Sequence, residues 1–116
     1  MKVIVCGGRD YDNWRRVYSV LTGLFPDSSV PLEIATGGAN GADKIAIEYA
    51  VARAVPHQVF LADWAEYGKR AGPLRNARML REFAPDLVIA FPGGKGTADM
   101  VARARKAGVR VTLVPS

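Results

Sequence analysis

Short apolar runs alternate with stretches of helical spacing along the whole chain. The first run, Val3–Cys6, predicts strand one. Asn13–Leu24 predicts a helix, with Asp12 or Asn13 as its N-cap and Pro26 beyond its end. Leu32–Thr36 predicts strand two, Gly41–Ala54 an alanine-rich helix, and Gln58–Ala62 strand three after Pro56. Pro73–Phe83 predicts a helix with proline at its allowed first-turn position. Leu87–Phe91 predicts strand four, Ala98–Ala107 a helix closed by Gly108, and Arg110–Val114 strand five. Leu61–Gly72 is the longest irregular connection, and we expect it to form a mobile rim.

Repeated strand–helix units imply a parallel sheet with helices on both faces. Right-handed crossovers then predict an α/β fold, a Rossmann-like three-layer sandwich with strand order 3-2-1-4-5. We expect residues 1–116 to form one domain, without internal repeats or low-complexity segments. The switch point of that order lies beyond the carboxyl ends of strands one and four, where open α/β sheets bind ligands.

Three glycine-rich turns leave the strands that meet there. They are Gly7-Gly8-Arg9-Asp10, Gly37-Gly38-Ala39-Asn40-Gly41 and Pro92-Gly93-Gly94-Lys95-Gly96-Thr97. Glycine lets backbone N–H groups approach an anion unobstructed, and the positive end of a helix dipole points the same way. Any one turn can be a plain tight connection. Their convergence on one crevice points to a phosphate-bearing ligand. The Walker pattern is excluded because Lys95 precedes Gly96. The dinucleotide fingerprint is excluded because strand one lacks its glycine spacing and no acidic residue closes strand two.

The chain has 116 residues, 49% of them hydrophobic, which is enough for a core. Its net charge of +5 favours anionic partners, nucleotides first and nucleic acid less specifically. Cys6 is the only cysteine, so no internal disulfide can form, and we expect a cytoplasmic setting. The N-terminal run is too short for a signal peptide. No apolar stretch approaches the ~18 residues of a membrane span, so no membrane role is expected.

The remaining candidates each have a plainer reading beside the functional one. Arg9 can clamp a phosphate and Asp10 can accept from a ribose hydroxyl, or the two can form a surface ion pair or turn cap. Asp43 and Asp99 can meet ligand hydroxyls or complement helix N-termini. Arg75, at a helix start beside the crevice, is a good anion ligand, with Asn76 next to it. Arg78 is one turn on and can share its face. Trp64 and Tyr67 can stack on a base or cover the sheet edge. Cys6 lacks a histidine partner, because His57, the sole histidine, lies at the opposite end of strand three. No clustered ligands suggest a metal, and we expect no cofactor.

Four ordered segments carry a resemblance that covers essentially the whole chain. Val3 to Tyr11, Gly37 to Asp43, Arg75 to Met79 and Pro92 to Met100 resemble the YspA-type, YpsA-related group of the SLOG superfamily. The resemblance implies a Rossmannoid domain for nucleotides or nucleotide-derived ligands, acting as a sensor or processing module. It also implies a propensity to dimerise. Pro92 to Thr97 is similar to the phosphate-binding signature of the lonely-guy phosphoribohydrolases, which cleave an N-glycosidic bond, and Arg75 is similar to their upstream arginine. Met100 stands where that signature carries glutamate. The alternative reading, a hydrolase of an N-glycosidic or phosphate bond in nucleotides, therefore offers Asp10, Asp43 or Asp99 as acid or base groups, with Asp99, Asp10 and Arg75 as the candidate catalytic residues. Gly37 to Asp43 resembles the loop of the DNA-processing protein A family, with Asn40 in place of its arginine, which gives a third reading as a binder of single-stranded nucleic acid.

Overall fold

The structure is a computed structural model that describes residues 1–24 and 31–115. The expected helix stop at Pro26 lies outside the described residues. The elements are β1 (Lys2–Cys6), α1 (Trp14–Leu24), β2 (Glu33–Thr36), α2 (Ala42–Ala52), β3 (His57–Val59), α3 (Trp64–Tyr67), α4 (Ala71–Phe83), β4 (Leu87–Ala90), α5 (Lys95–Lys106) and β5 (Arg110–Leu113). A 3-10 turn, Gly68–Arg70, joins α3 to α4.

The five strands form one parallel sheet in the order β3-β2-β1-β4-β5, as expected for an α/β Rossmann-like fold. Ile4 pairs with Ala35 on one side and Val88 on the other. Successive strand residues point to opposite faces. Val3, Val5, Ile34, Leu87 and Ile89 therefore pack against Val17 and Leu21 of α1 and Ile45, Ala46 and Tyr49 of α2. Ile4, Ala35 and Val88 face Met79 and Phe83 of α4 and Met100 and Ala104 of α5. Both faces of the central strands are covered, which is why β1 and β4 read as unbroken apolar runs.

The differences from the sequence reading lie at element ends. The expected irregular rim contains α3 and the 3-10 turn, so α4 begins at Ala71 and not at Pro73. Asp63 caps α3, its carboxylate accepting from Glu66 N at 3.1 Å. Proline fits the first turn of α4 because the first N–H groups of a helix have no internal partner. For the same reason Gly96 and Thr97 belong to α5, which begins at Lys95 and not at Ala98. α2 is shorter than expected: Gly41 is its N-cap, and Ala54 adopts φ 54° beyond its end. β3 spans His57–Val59 and not Gln58–Ala62, although Phe60 N still donates to Thr36 O at 2.9 Å. Asn13 caps α1, its side chain accepting from Arg16 N at 3.1 Å. Gly108 closes α5 at φ 78°, with Val109 N donating to Ala104 O at 2.9 Å.

At the carboxyl ends of β1, β2 and β4 the three turns touch backbone to backbone. Gly8 N donates to Pro92 O at 2.9 Å, and Gly8 O accepts from Ala42 N at 3.3 Å and Tyr11 N at 3.2 Å. A Cβ on Gly7 would come within 2.6 Å of Ala42 Cβ and 3.0 Å of Phe91 Cβ. A Cβ on Gly41, whose φ is 81°, would strike Gly8 O. These glycines are set by the fold itself. Gly7→Ala is expected to destabilise the chain by about 1–3 kcal/mol through overpacking. The midpoint of urea unfolding measures this, and an unchanged midpoint would refute the tight packing of β1 against α2.

Candidate functional site

The crevice between the turns opens onto a cavity of about 80 Å³, walled by Cys6, Asp43, Arg75, Asn76, Thr97 and Met100 among others. That volume suits a compact anionic group or water, far less than a whole nucleotide needs. A larger ligand would have to extend outward through the mouth.

Asp43 sits in the first turn of α2 and is 5% exposed. Its Oδ2 accepts from Gly37 N at 3.1 Å and Ala39 N at 3.2 Å. Its observed role is thus to anchor the turn after β2, and it occupies two of the amides that the sequence offered to a ligand. Thr36, wholly buried, completes that turn by accepting from Gly38 N at 3.2 Å. Burial raises the Asp43 carboxyl to about 6, against the smaller opposing pull of the Ala39 amide, Arg75, the Gly37 amide and Arg9.

Arg75 projects from the first half of α4. Its Nη1 donates to Gly37 O at 2.9 Å and Phe60 O at 3.3 Å, and its Nε donates to Asn76 Oδ1 at 3.0 Å. Burial lowers its pKa; Asp43 opposes this shift, Arg9 adds to it, and Cys6 and Asp99 oppose it. A guanidinium remains charged through such a shift. Asn76, also buried, donates from Nδ2 to Gly96 O at 3.2 Å and to Asp99 Oδ2 at 3.0 Å. Asp99 accepts as well from Arg103 Nε at 2.9 Å. Arg75, Asn76 and Asp99 therefore form one chain of hydrogen bonds that fixes α4 to the start of α5.

The turn after β4, like that after β2, leads into a helix with a glycine N-cap and no side-chain cap, but at the α2 start Gly8 O already accepts from Ala42 N. Gly94 is the N-cap of α5, and no side chain caps that end. Lys95, Gly96 and Thr97 form the first helical turn, whose N–H groups have no intrahelical partner. Gly93 is required by packing, since a Cβ there would strike the Thr97 hydroxyl and lie 2.7 Å from Gly8 N. A Cβ on Gly94 or Gly96 would meet nothing within 4 Å, and neither has positive φ. The fold supplies no reason for glycine at these two positions.

Arg9 and Asp10 are exposed at the mouth, and no ion pair joins them among the described residues. The Arg9 guanidinium lies over Trp64, 5.6 Å from the ring centroid. Asn40 and Lys95 are exposed nearby in sequence to the turns they belong to. Arg78 does not share the role of Arg75: it pairs with Glu82 at 2.8 Å on the exposed side of α4. His57 starts β3, at the end of the sheet away from the crevice. Cys6 stays a neutral thiol, pushed up to about 12 by burial and then by Asp43, with Arg75 opposing. Among the described residues no group of three or more His, Cys, Asp and Glu could hold a metal ion, and no helix is long and apolar enough to cross a membrane.

Sequence reasoning did not pick out Thr36 or Met79. Thr36 left a signal: it is a hydroxyl at the end of an apolar strand, directly before a glycine pair. Met79 left none, because a methionine at helical spacing reads only as core.

The family model described as YspA, cpYpsA-related SLOG matches residues 1–67. The Gene 61 protein of Mycobacterium phage D29 is 36% identical over 117 residues, covering 95% of this chain and 93% of its own length. Among solved structures, TM1055, a Northeast Structural Genomics Consortium target, aligns with a TM-score of 0.69 at 20% identity, over 95% of this chain and 71% of that one. UDP-GlcNAc 2-epimerase from Neisseria meningitidis, bound to UDP-GlcNAc, aligns at 0.59 and 14%, over 98% of this chain and 32% of that one. DNA processing protein A from Streptococcus pneumoniae aligns at 0.54 and 18%, over 96% of this chain and 58% of that one. At these identities the three structures share the fold alone.

Asp43 makes stability depend on pH. Its folded value, about 6, lies above the ordinary 3.8, so between those values the folded chain holds a proton that the unfolded chain has released. Stability from this group is full below about pH 4, falls on the order of 3 kcal/mol as pH rises to about 6, and is level above that. Asp43→Asn keeps an acceptor for the two amides and removes the titration. Urea unfolding between pH 4 and 7 is expected to show a flatter profile for Asp43→Asn than for the native chain, and parallel profiles would refute the assignment.

Proposed function

This chain belongs to the YspA, cpYpsA-related SLOG family, and from that premise we propose that it binds a phosphorylated nucleoside or nucleotide derivative. The phosphate sits at the start of α5, and the ligand is held at the carboxyl ends of β1, β2 and β4. One observation carries the reading. The N-terminus of α5 is uncapped, and the two glycines over it, Gly94 and Gly96, face open space. A helix N-terminus with free amides is suited to phosphate, and glycine there leaves room for the oxygens. The Arg75 guanidinium, held beside Gly96 through Asn76, and the side chain of Lys95 add positive charge.

Binding, not turnover, is the function proposed. Asp99, the nearest carboxylate to the α5 start, has its Oδ2 engaged by Asn76 and Arg103. Met100 is 1% exposed and packs in the apolar cluster under the sheet. Nothing in that arrangement favours Asp99 or Asp10 as a general acid or base.

Gly96 separates binding from folding. Gly96→Ala removes glycine from a helix without a clash and is expected to stabilise the free chain by up to about 0.5–1 kcal/mol. Gly96→Val fills the space above the amides. Titration calorimetry against a nucleotide panel is expected to give at least about tenfold weaker binding for Gly96→Val, the equivalent of one charge-assisted hydrogen bond. Unaltered affinity in Gly96→Val, or no binding of any panel member to the native chain, would overturn the proposal.

A further inference from the structure

We propose that Trp64 is the platform on which the ligand's base stacks, and that Arg9 is a removable cover on that platform. The inference rests on the nucleotide reading above and assigns the part of the ligand that the small cavity cannot hold. Trp64 opens α3, after β3, while Arg9 belongs to the turn after β1. β2 lies between those strands in the sheet. The Arg9–Trp64 pair therefore spans the carboxyl end of β2, across the mouth of the crevice. Arg9 also sits close enough for its charge to act on both Asp43 and Arg75 inside it.

A tryptophan that only sealed the sheet edge would be buried. Trp64 is 49% exposed. One edge of its indole is seated on the start of α4: a Cβ on Gly72 would lie 3.3 Å from Trp64 Cη2. Gly72 is one helical turn from Arg75 and Asn76, and Asn76 bonds Gly96 O. The indole thus stands on the same helix end that reaches the phosphate turn. Its face carries the planar Arg9 cation. A guanidinium and a base both use such a face. When the base takes the indole face, Arg9 is released toward the anionic end of the ligand.

Trp14 is the other indole, so Trp14→Phe leaves Trp64 as the sole reporter of indole emission. In that background, nucleoside 5′-monophosphates are expected to quench emission, and ribose 5-phosphate, which lacks a base, to bind calorimetrically without quenching. Trp64→Ala is expected to weaken monophosphate binding roughly 5- to 150-fold, the range for loss of one base–aromatic stack, and to leave ribose 5-phosphate affinity unchanged. Trp64→Phe, which keeps a ring, should retain most of the affinity. Monophosphate binding without quenching, equal affinity in Trp64→Ala, or equal loss of both probes in Trp64→Ala would each overturn the platform. Failure of ribose 5-phosphate to bind the native chain would instead reject the phosphate turn, and monophosphate quenching would still test Trp64.

Discussion

The backbone of Gly8 is the point on which the site depends. Its N–H bonds the turn after β4, and its carbonyl bonds the first residue of α2. One residue thereby sets three loops from separate strands in register. The approach is so close that side chains are excluded at Gly7, Gly41 and Gly93. The crevice is then a by-product of sheet topology made narrow by backbone contact, and its rigidity comes from elements that are themselves core.

Within that frame, buried polar groups are matched mostly to each other. Asp43 holds amides, Arg75 holds carbonyls, and Asn76 holds both a carbonyl and a carboxylate. No buried side-chain nitrogen or oxygen lacks a partner among the described residues. Satisfied networks of this kind fix geometry, but they leave few groups uncommitted. The positive end of α5 and the exposed cations around it are the exception, which concentrates the unused binding capacity at one place.

The sheet order was legible because the central strands β1 and β4 are apolar on both faces and each crossover has one favoured hand. The starts of α4 and α5 were not, since proline and glycine lose their meaning as breakers in a first turn whose amides are free anyway. The site was legible as a set of turns and illegible in detail. Gly7 and Gly96 look alike in sequence, yet one is demanded by Ala42 and Phe91 and the other faces open space. Asp43 is visibly an acid in a first turn; that its partners are Gly37 and Ala39 follows only from the path of the loop.

Met100 has a consequence for how such chains can diversify. Its side chain belongs to the cluster formed by Ile4, Met79, Phe83 and Val88. A glutamate there would give up those apolar contacts and set a second carboxylate beside Asp43 at the small cavity that Met100 also walls, both of them costs to folding. Exchanging methionine for a hydrolytic carboxylate thus disturbs the packing under α5 and the charge balance of the cavity together, so binder and hydrolase are separated by a folding cost as well as by a functional difference.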